Sequence, residues 1–179
     1  MKSQEDAKDK PPRAARLDGF VIRAATPEDA EAVTALANLA GYRYGTLRLP
    51  FQTVAETRQR LENPVPGAKA LVADLAGVVI GDIGFFPLLG RRRHVATIGM
   101  GVHDEFAGRG VGSALMKAAL DIADNWLDLR RIELTVFTDN QPAVRLYERN
   151  GFVTEGCLKE FAFRDGHYVD AYTMARLKT

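Results

Sequence analysis

Gly99 to Leu115 reads GMGVHDEFAGRGVGSAL, and three of its glycines, Gly108, Gly110 and Gly112, fall at every second position. Directly after them the apolar residues take helical spacing, with Val111, Leu115, Ala118, Ala119, Ile122, Ala123 and Trp126 at steps of three and four. A strand therefore leads into a helix through bare backbone. Amides at a helix start have no partner inside the helix and lie at the positive end of its dipole, so glycines there form a site that a phosphate can approach closely, with Arg109 adding charge. A tight turn with close helix-to-strand packing uses the same residues, and the glycines alone leave both readings open. They are not a P-loop, which needs GxxxxGK before Ser or Thr, nor a dinucleotide fingerprint, which needs GxGxxG in a parallel βαβ unit.

Upstream lie three β-rich runs, LVADL, VVIGDIGFF and HVATIGMGV, separated by Ala76-Gly77 and by the basic stretch Gly90 to His94. They predict an antiparallel meander, with Gly99 and Gly101 marking a bulge or a close backbone approach in its last strand. Downstream, RIELTVF has the β-branched content of a buried strand, QPAVRLYERN is a short helix with Pro142 at its start and Asn150-Gly151 at its end, and two final strands turn at Asp165-Gly166. Before the meander stand a strand, FVIR, and a helix from Thr26 to the stop signal Gly41, with stripe residues Ala30, Val33, Leu36, Ala37 and Ala40. The aromatic and basic loop Tyr42 to Phe51 follows, then a helix opened by the capping-box pair Thr53 and Glu56. The pattern as a whole predicts one α/β domain with a mixed sheet.

Bulk composition narrows the function classes. The chain has 179 residues, enough for one domain with a real core, and 24 Lys plus Arg against 23 Asp plus Glu give a net charge of +1. Nothing in that balance points to nucleic acid, and a small molecule is the expected partner. The single cysteine, Cys157, excludes an internal disulfide, fits a reducing cytoplasmic setting and gives no zinc-ligand spacing, so no metal is expected. No apolar run approaches the ~20 residues that cross a bilayer. Residues 1–17, charged and poor in large apolar side chains, are expected to be a flexible tail before a domain spanning 18–179. Arg91, Arg92 and Arg93 read as a solvated hairpin tip.

VHDEFAGRGVGSAL, followed one strand later by LTVFTDNQPAVRLYERNGF, resembles the two core motifs of the GNAT superfamily of acetyl-CoA-dependent N-acetyltransferases. The likeness runs from about Gly19 to Leu177. The family's first motif, Gln or Arg, two residues, Gly, one residue, then Gly or Ala, falls on Ala107 to Gly112 and departs at Ala107, which lacks the side-chain contact. Asn140, Ala143, Leu146, Tyr147 and Gly151-Phe152 match the second. NGF, EG, DG and YVDAYTMAR resemble the bacterial branch that acetylates free amino acids and related small amines. The resemblance implies a mostly antiparallel central sheet with helices on both faces, no metal, and relatives that are often homodimers. It implies that the backbone of Met100, Gly101 and Val102 faces the pantetheine arm and thioester. The loop Ala107, Gly108, Arg109, Gly110, Val111, Gly112 and Ser113 would hold the pyrophosphate, and Asn140 and Ala143 would flank the arm.

Acyl transfer to an amine needs an anchored coenzyme, a neutral amine, an oxyanion donor and a proton for the departing thiolate. By resemblance Tyr147 is the acid. A phenol of ordinary pKa ~10 holds its proton at neutral pH and can also be just a half-buried aromatic. Many relatives carry a glutamate where this chain has Thr97, whose hydroxyl is no base. Glu133 shares a strand face with Arg131 and Thr135 and is the candidate base, with a cross-strand ion pair as the competing reading. His94, His103, Glu105 and a water relay remain as other routes. Tyr44 and Arg48 are the candidate acceptor contacts, with Tyr42, Tyr44, Leu47 and Phe51 simply closing the core as the equal alternative, and Asn140 is equally placed to cap its helix. A polyamine, an aminoglycoside, a protein amino terminus, or a non-catalytic acyl-CoA sensor are the competing functions.

Overall fold

Two hairpin turns fix much of the strand pairing. The computed structural model describes residues 15–178. Strand β2 (Lys69–Leu75) turns into β3 (Val78–Pro87) at Ala76 and Gly77, with φ of 50° and 89°. Strand β6 (Val153–Arg164) turns into β7 (His167–Leu177) at Asp165 and Gly166, with φ of 49° and 83°. Paired left-handed residues match the twist of a two-residue hairpin, which is why small or polar residues stand there. Adding β1 (Val21–Ala24), β4 (Val95–Val102) and β5 (Arg131–Phe137) gives a seven-stranded sheet in the order β1-β2-β3-β4-β5-β7-β6. All neighbours are antiparallel except β4 and β5.

That parallel pair is short: Val95, Ala96 and Thr97 align with Arg131, Ile132 and Glu133, and pairing then stops. Beyond it Ile98–Val102 pairs with β3 alone and Leu134–Phe137 with β7 alone. The sheet thus opens as a wedge between its fourth and fifth strands.

Helices cover both faces. On one, α4 (Val111–Asp121) and α5 (Gln141–Arg149) pack Leu115, Met116, Val144 and Tyr147 onto Ile83, Phe85, Ile98, Ile132 and Leu134. On the other, α1 (Ala30–Ala37) and α2 (Ala40–Tyr44) bring Val33, Leu36, Ala37 and Tyr42 against Val72 and Val79. Helix α3 (Val54–Glu62) joins them through the buried Thr34–Thr57 hydroxyl bond of 2.8 Å and starts at the expected Thr53–Glu56 box.

The structure departs from expectation in several places. The helix foreseen from Thr26 to Gly41 ends at Ala37, where Asn38 exchanges two hydrogen bonds with the Gln52 backbone and redirects the chain. Gly41 opens α2 instead of stopping α1: its N–H donates to Asp104 Oδ2 at 2.9 Å, and a Cβ there would lie 2.6 Å from that carboxylate. Helix α4 gives way to a π turn at Ile122–Trp126, leaving Trp126 exposed instead of on the apolar stripe. No bulge interrupts β4 against β3, whose register is unbroken from Ala96 to Val102. Residues 1–14 of the expected tail lie outside the described residues. Leu17, also assigned to it, packs on the core and donates its N–H to Arg109 O at 2.9 Å.

Candidate active site

The wedge exposes backbone. Ladder bonds between β3 and β4 fall on odd-numbered β4 residues and their neighbours: His103 N donates to Ile80 O at 2.9 Å, and Leu88 N donates to Val95 O at 2.8 Å. Alternation then turns the N–H and C=O groups of Met100 and Val102 away from β3, into the gap where β5 has departed. Gly101, whose amide belongs to the β3 ladder, contributes by having no side chain. A Cβ there would sit 2.0 Å from Cε2 of the buried Tyr42 ring. Gly99, on the same face, borders open space, with no atom within 4 Å of a Cβ.

At the wedge mouth the glycine loop starts α4. Gly108 (φ 74°) and Gly110 (φ 99°) are left-handed, a conformation only glycine adopts without strain, and Gly110 is the N-cap. The first ladder bond is Ala114 N to Gly110 O, 3.1 Å, which leaves the amides of Val111, Gly112 and Ser113 without acceptors inside the helix. Gly112 is tightly packed, since a Cβ would meet Leu146 at 3.3 Å and Met100 at 3.4 Å. Arg16, Lys117 and Ser113 border the hollow over Gly108 and Gly110, and the Arg109 guanidinium stacks on Phe106 with 5.6 Å to the ring centre. Free amides, a helix start and nearby cations suit a phosphate. Ala107 is exposed and offers only backbone.

On the opposite face the gap opens into a cavity of about 740 Å³, walled by apolar groups such as Leu47, Leu61, Val65, Phe86 and Phe161. Its polar lining includes Tyr42, Arg48, Arg60 and Asp82, together with Thr46, Asn63, Lys69, Thr135 and Tyr147. The Tyr42 hydroxyl donates to Asp82 Oδ1 at 2.7 Å. Burial raises the Asp82 pKa above the usual carboxylate range, against the pull of the Tyr42 hydrogen bond and of Arg48 and Arg60. Burial, reinforced by Arg48, lowers the Arg60 pKa. Among the described residues neither Arg48 nor Arg60 is in an ion pair.

The expected site residues separate. Tyr147 lines the cavity from α5 beside Phe152, and burial pushes its pKa up to about 12. Asn140 caps α5, accepting from Ala143 N at 3.3 Å, with its amide against Gly45. Arg48 lines the cavity, whereas Tyr44 faces away, donating to Asp139 at 3.1 Å under the Arg164 guanidinium, which sits 3.6 Å from its ring centre. Glu133 does not line the cavity. Arg92 Nη2 donates to it at 2.7 Å and Arg131 also binds it, and although burial works to raise its pKa, these partners lower it. Arg92 is therefore no free hairpin-tip charge. Arg60 and Asp82 are not among the residues the sequence singles out, and Tyr42 stands there only as the first residue of the aromatic and basic loop. For Asp82 the signal was present, a lone carboxylate inside the apolar run VVIGDIGFF, which cannot be buried without a partner.

A model of the acetyltransferase (GNAT) family matches residues 37–152. Over 166 residues the chain is 43% identical to the L-amino acid N-acetyltransferase AaaT of Escherichia coli strain K12, covering 90% of this chain and 100% of that protein. The chain belongs to the GNAT acetyltransferase family. A GNAT acetyltransferase from Streptococcus pneumoniae superposes with a TM-score of 0.78 at 30% identity, covering 89% of this chain and 99% of that one. A Salmonella typhimurium structure solved with its cofactor acetyl-CoA shares the fold, with a TM-score of 0.76 at 20% identity over 89% of this chain and 94% of that one. As a member of the acetyltransferase (GNAT) family this protein draws its acetyl group from acetyl-CoA, and the amides from Val111 to Ser113, without acceptors inside the helix, fit the coenzyme's phosphates. Among the described residues there is no cluster of His, Cys, Asp or Glu that could hold a metal, and no helix is long and apolar enough to cross a membrane.

Proposed function

We propose that this GNAT enzyme acetylates the primary amine of a free amino acid by direct transfer, with both substrates bound at once. One observation carries the reading: Met100, at the gap between β4 and β5, packs on Gly112 of the glycine loop and lines a mostly apolar cavity that also holds one carboxylate and the guanidiniums of Arg48 and Arg60, which form no ion pair among the described residues. A small zwitterion with an apolar side chain complements that lining. Arg48 and Arg60 hold its carboxylate, which relieves two half-buried cations. AaaT, by its name, acts on L-amino acids, and the similarity to it supports the same acceptor class.

On the donor side, the amides from Gly108 to Ser113 hold the pyrophosphate, with charge from Arg109, Arg16 and Lys117. Met100 and Val102 offer backbone groups to the pantetheine arm and thioester carbonyl, and Ala143 borders the arm beside the Asn140 cap. Tyr147, protonated at neutral pH, gives its proton to the departing sulfur. The homodimer implied by the resemblance is read out by light scattering of the full chain.

Thiol release from acetyl-CoA is measured with a panel of amino acids, their decarboxylated amines, polyamines, an aminoglycoside and amino-terminal peptides. Free amino acids give the highest kcat/KM. Arg48→Met and Arg60→Met each raise KM for the amino acid ~10- to 100-fold, as loss of a hydrogen bond to a charged group does, and leave the decarboxylated amine within about threefold. Equal losses for both would reject the carboxylate clamp.

A further inference from the structure

We propose that Asp82 is the proton acceptor for the incoming ammonium and that Tyr42 positions it, an assignment that rests on an amine entering the cavity described above.

Elimination and placement converge on this residue. Among the described residues Asp82 is the sole carboxylate that lines the cavity. Glu133 is held by Arg92 and Arg131, and His103 Nδ1 accepts from the Glu105 amide in a turn outside the cavity. Asp82 lies on β3 directly opposite Gly101 of β4, on the sheet face it shares with Gly84 and Gly99. Because Gly99 borders open space, the volume beside Asp82 runs to the edge of the wedge, where the amides of Met100 and Val102 point. One carboxylate oxygen, Oδ1, is fixed by Tyr42, and among the described residues Oδ2 is bonded to no side chain. The Tyr42 ring is locked in turn, packed against the bare backbone of Gly101. The acceptor oxygen on one wall and the backbone donors on the other therefore bracket the place where nitrogen must meet the thioester carbon.

The protons balance without another reactant. Of the ammonium's three protons, one passes to Asp82 Oδ2 and on to solvent, freeing the lone pair that forms the N–C bond, one returns to Tyr147 after that phenol has given its own proton to the coenzyme sulfur as the C–S bond breaks, and one stays on the amide nitrogen. Groups that face Asp82 are Tyr42 from α2, Arg48 from the following loop and Arg60 from α3, while its strand neighbours Val72 and Gly101 do not titrate. Burial moves the carboxyl toward the working pH, where a base is most effective.

The test compares kcat/KM against pH for the wild-type enzyme, Asp82→Asn and Tyr42→Phe, using L-phenylalanine and phenethylamine, with acetyl-CoA affinity measured by calorimetry. At pH 7 Asp82→Asn lowers kcat/KM ~10²- to 10⁴-fold, and the deficit shrinks as pH approaches the amine's own pKa, where the substrate no longer needs a base. Coenzyme affinity stays within about twofold. Tyr42→Phe keeps the ring on Gly101, removes a hydrogen bond that favours the ionised carboxylate, and moves the acidic limb to higher pH. A deficit that is the same at every pH, activity within threefold of wild type, or an unmoved acidic limb in Tyr42→Phe overturns the assignment. If Asp82→Asn does not fold, the Tyr42→Phe limb decides. If only phenethylamine is acetylated, the amino-acid reading fails while Asp82 is still judged on that amine.

Discussion

Gly99 and Gly101 stand two residues apart on one face of β4, yet alanine at the two positions has opposite consequences. At Gly101 the new methyl would lie 2.0, 2.4 and 2.6 Å from three atoms of the Tyr42 ring. Ordinary carbon contacts need ~3.5–4.0 Å, so the ring edge must retreat by ~1.5 Å. Tyr42 is only 6% exposed and its hydroxyl is tied to Asp82 at 2.7 Å. Overpacking of this kind costs ~1–3 kcal/mol, and a strained or broken bond to the carboxylate adds ~1–2 kcal/mol. A total of ~3 kcal/mol at ~2–4 °C per kcal/mol lowers Tm by ~6–12 °C. At Gly99 no atom lies within 4 Å, so alanine there leaves Tm unchanged or raises it by ~1–3 °C through the stiffer unfolded chain. Its methyl enters the cavity, so acetylation falls while the fold holds. Thermal melts followed by circular dichroism at pH 7 measure the contrast. In a Tyr42→Ala background the Gly101→Ala penalty vanishes, because the ring it struck is gone. Equal Tm for the two single variants, or full additivity in the double variant, would refute the packing account.

Tyr147→Phe lowers kcat ~10²-fold or more with coenzyme affinity within about twofold. Because burial holds its pKa at about 12, the wild-type rate shows no fall near pH 10 from this group, and a basic limb at 10 would show a hydrated phenol that is not the acid. Gly110→Val places a β-branched residue at φ 99° over the phosphate approach, and calorimetry should find acetyl-CoA binding weakened at least ~10-fold along with a strain of ~1–3 kcal/mol in the melt. Hydrogen bonds from Arg23 hold the Asp29 pKa down against burial, with further help from the Thr26 amide. A carboxylate depressed in the folded state stabilises above its unfolded pKa of ~3.9, and that gain is lost as pH falls through the folded value. Asp29→Asn therefore melts lower than wild type at pH 7, with the difference closing by pH ~2.

Where local physics decides the structure, the sequence was readable. Ala76-Gly77 and Asp165-Gly166 admit only a tight hairpin, Thr53 with Glu56 marks a helix start, and the glycines after Ala107 open α4 with free amides. Where a partner arrives from far along the chain, it was not. Glu133 does share a sheet face with the cavity-lining Thr135, yet Arg92, 41 residues away, reaches it first. The break after Ala37 depends on Asn38 meeting Gln52, and Gly41 is set by Asp104. Tyr44 and Tyr42 are equivalent by composition, and only the turn of α2 sends one to Asp139 and the other to Asp82. The acceptor cluster draws on α2, the loop after it, α3 and β3, so no single window of sequence contains it.

The wedge between β4 and β5 also divides the chain into two territories. Every polar group assigned to the acceptor, Tyr42, Arg48, Arg60 and Asp82, precedes β4, and the motif and cleft groups assigned to the acetyl donor, from Met100 through the glycine loop to Tyr147, follow from β4 onward. The two sets touch where Tyr42 packs on Gly101 and otherwise face each other across the gap. Exchanging the segment from β1 to the β3–β4 hairpin, with Arg16 and Leu17 kept at the glycine loop, would therefore retarget the enzyme to a different amine while leaving its coenzyme machinery in place, a modular seam along the chain.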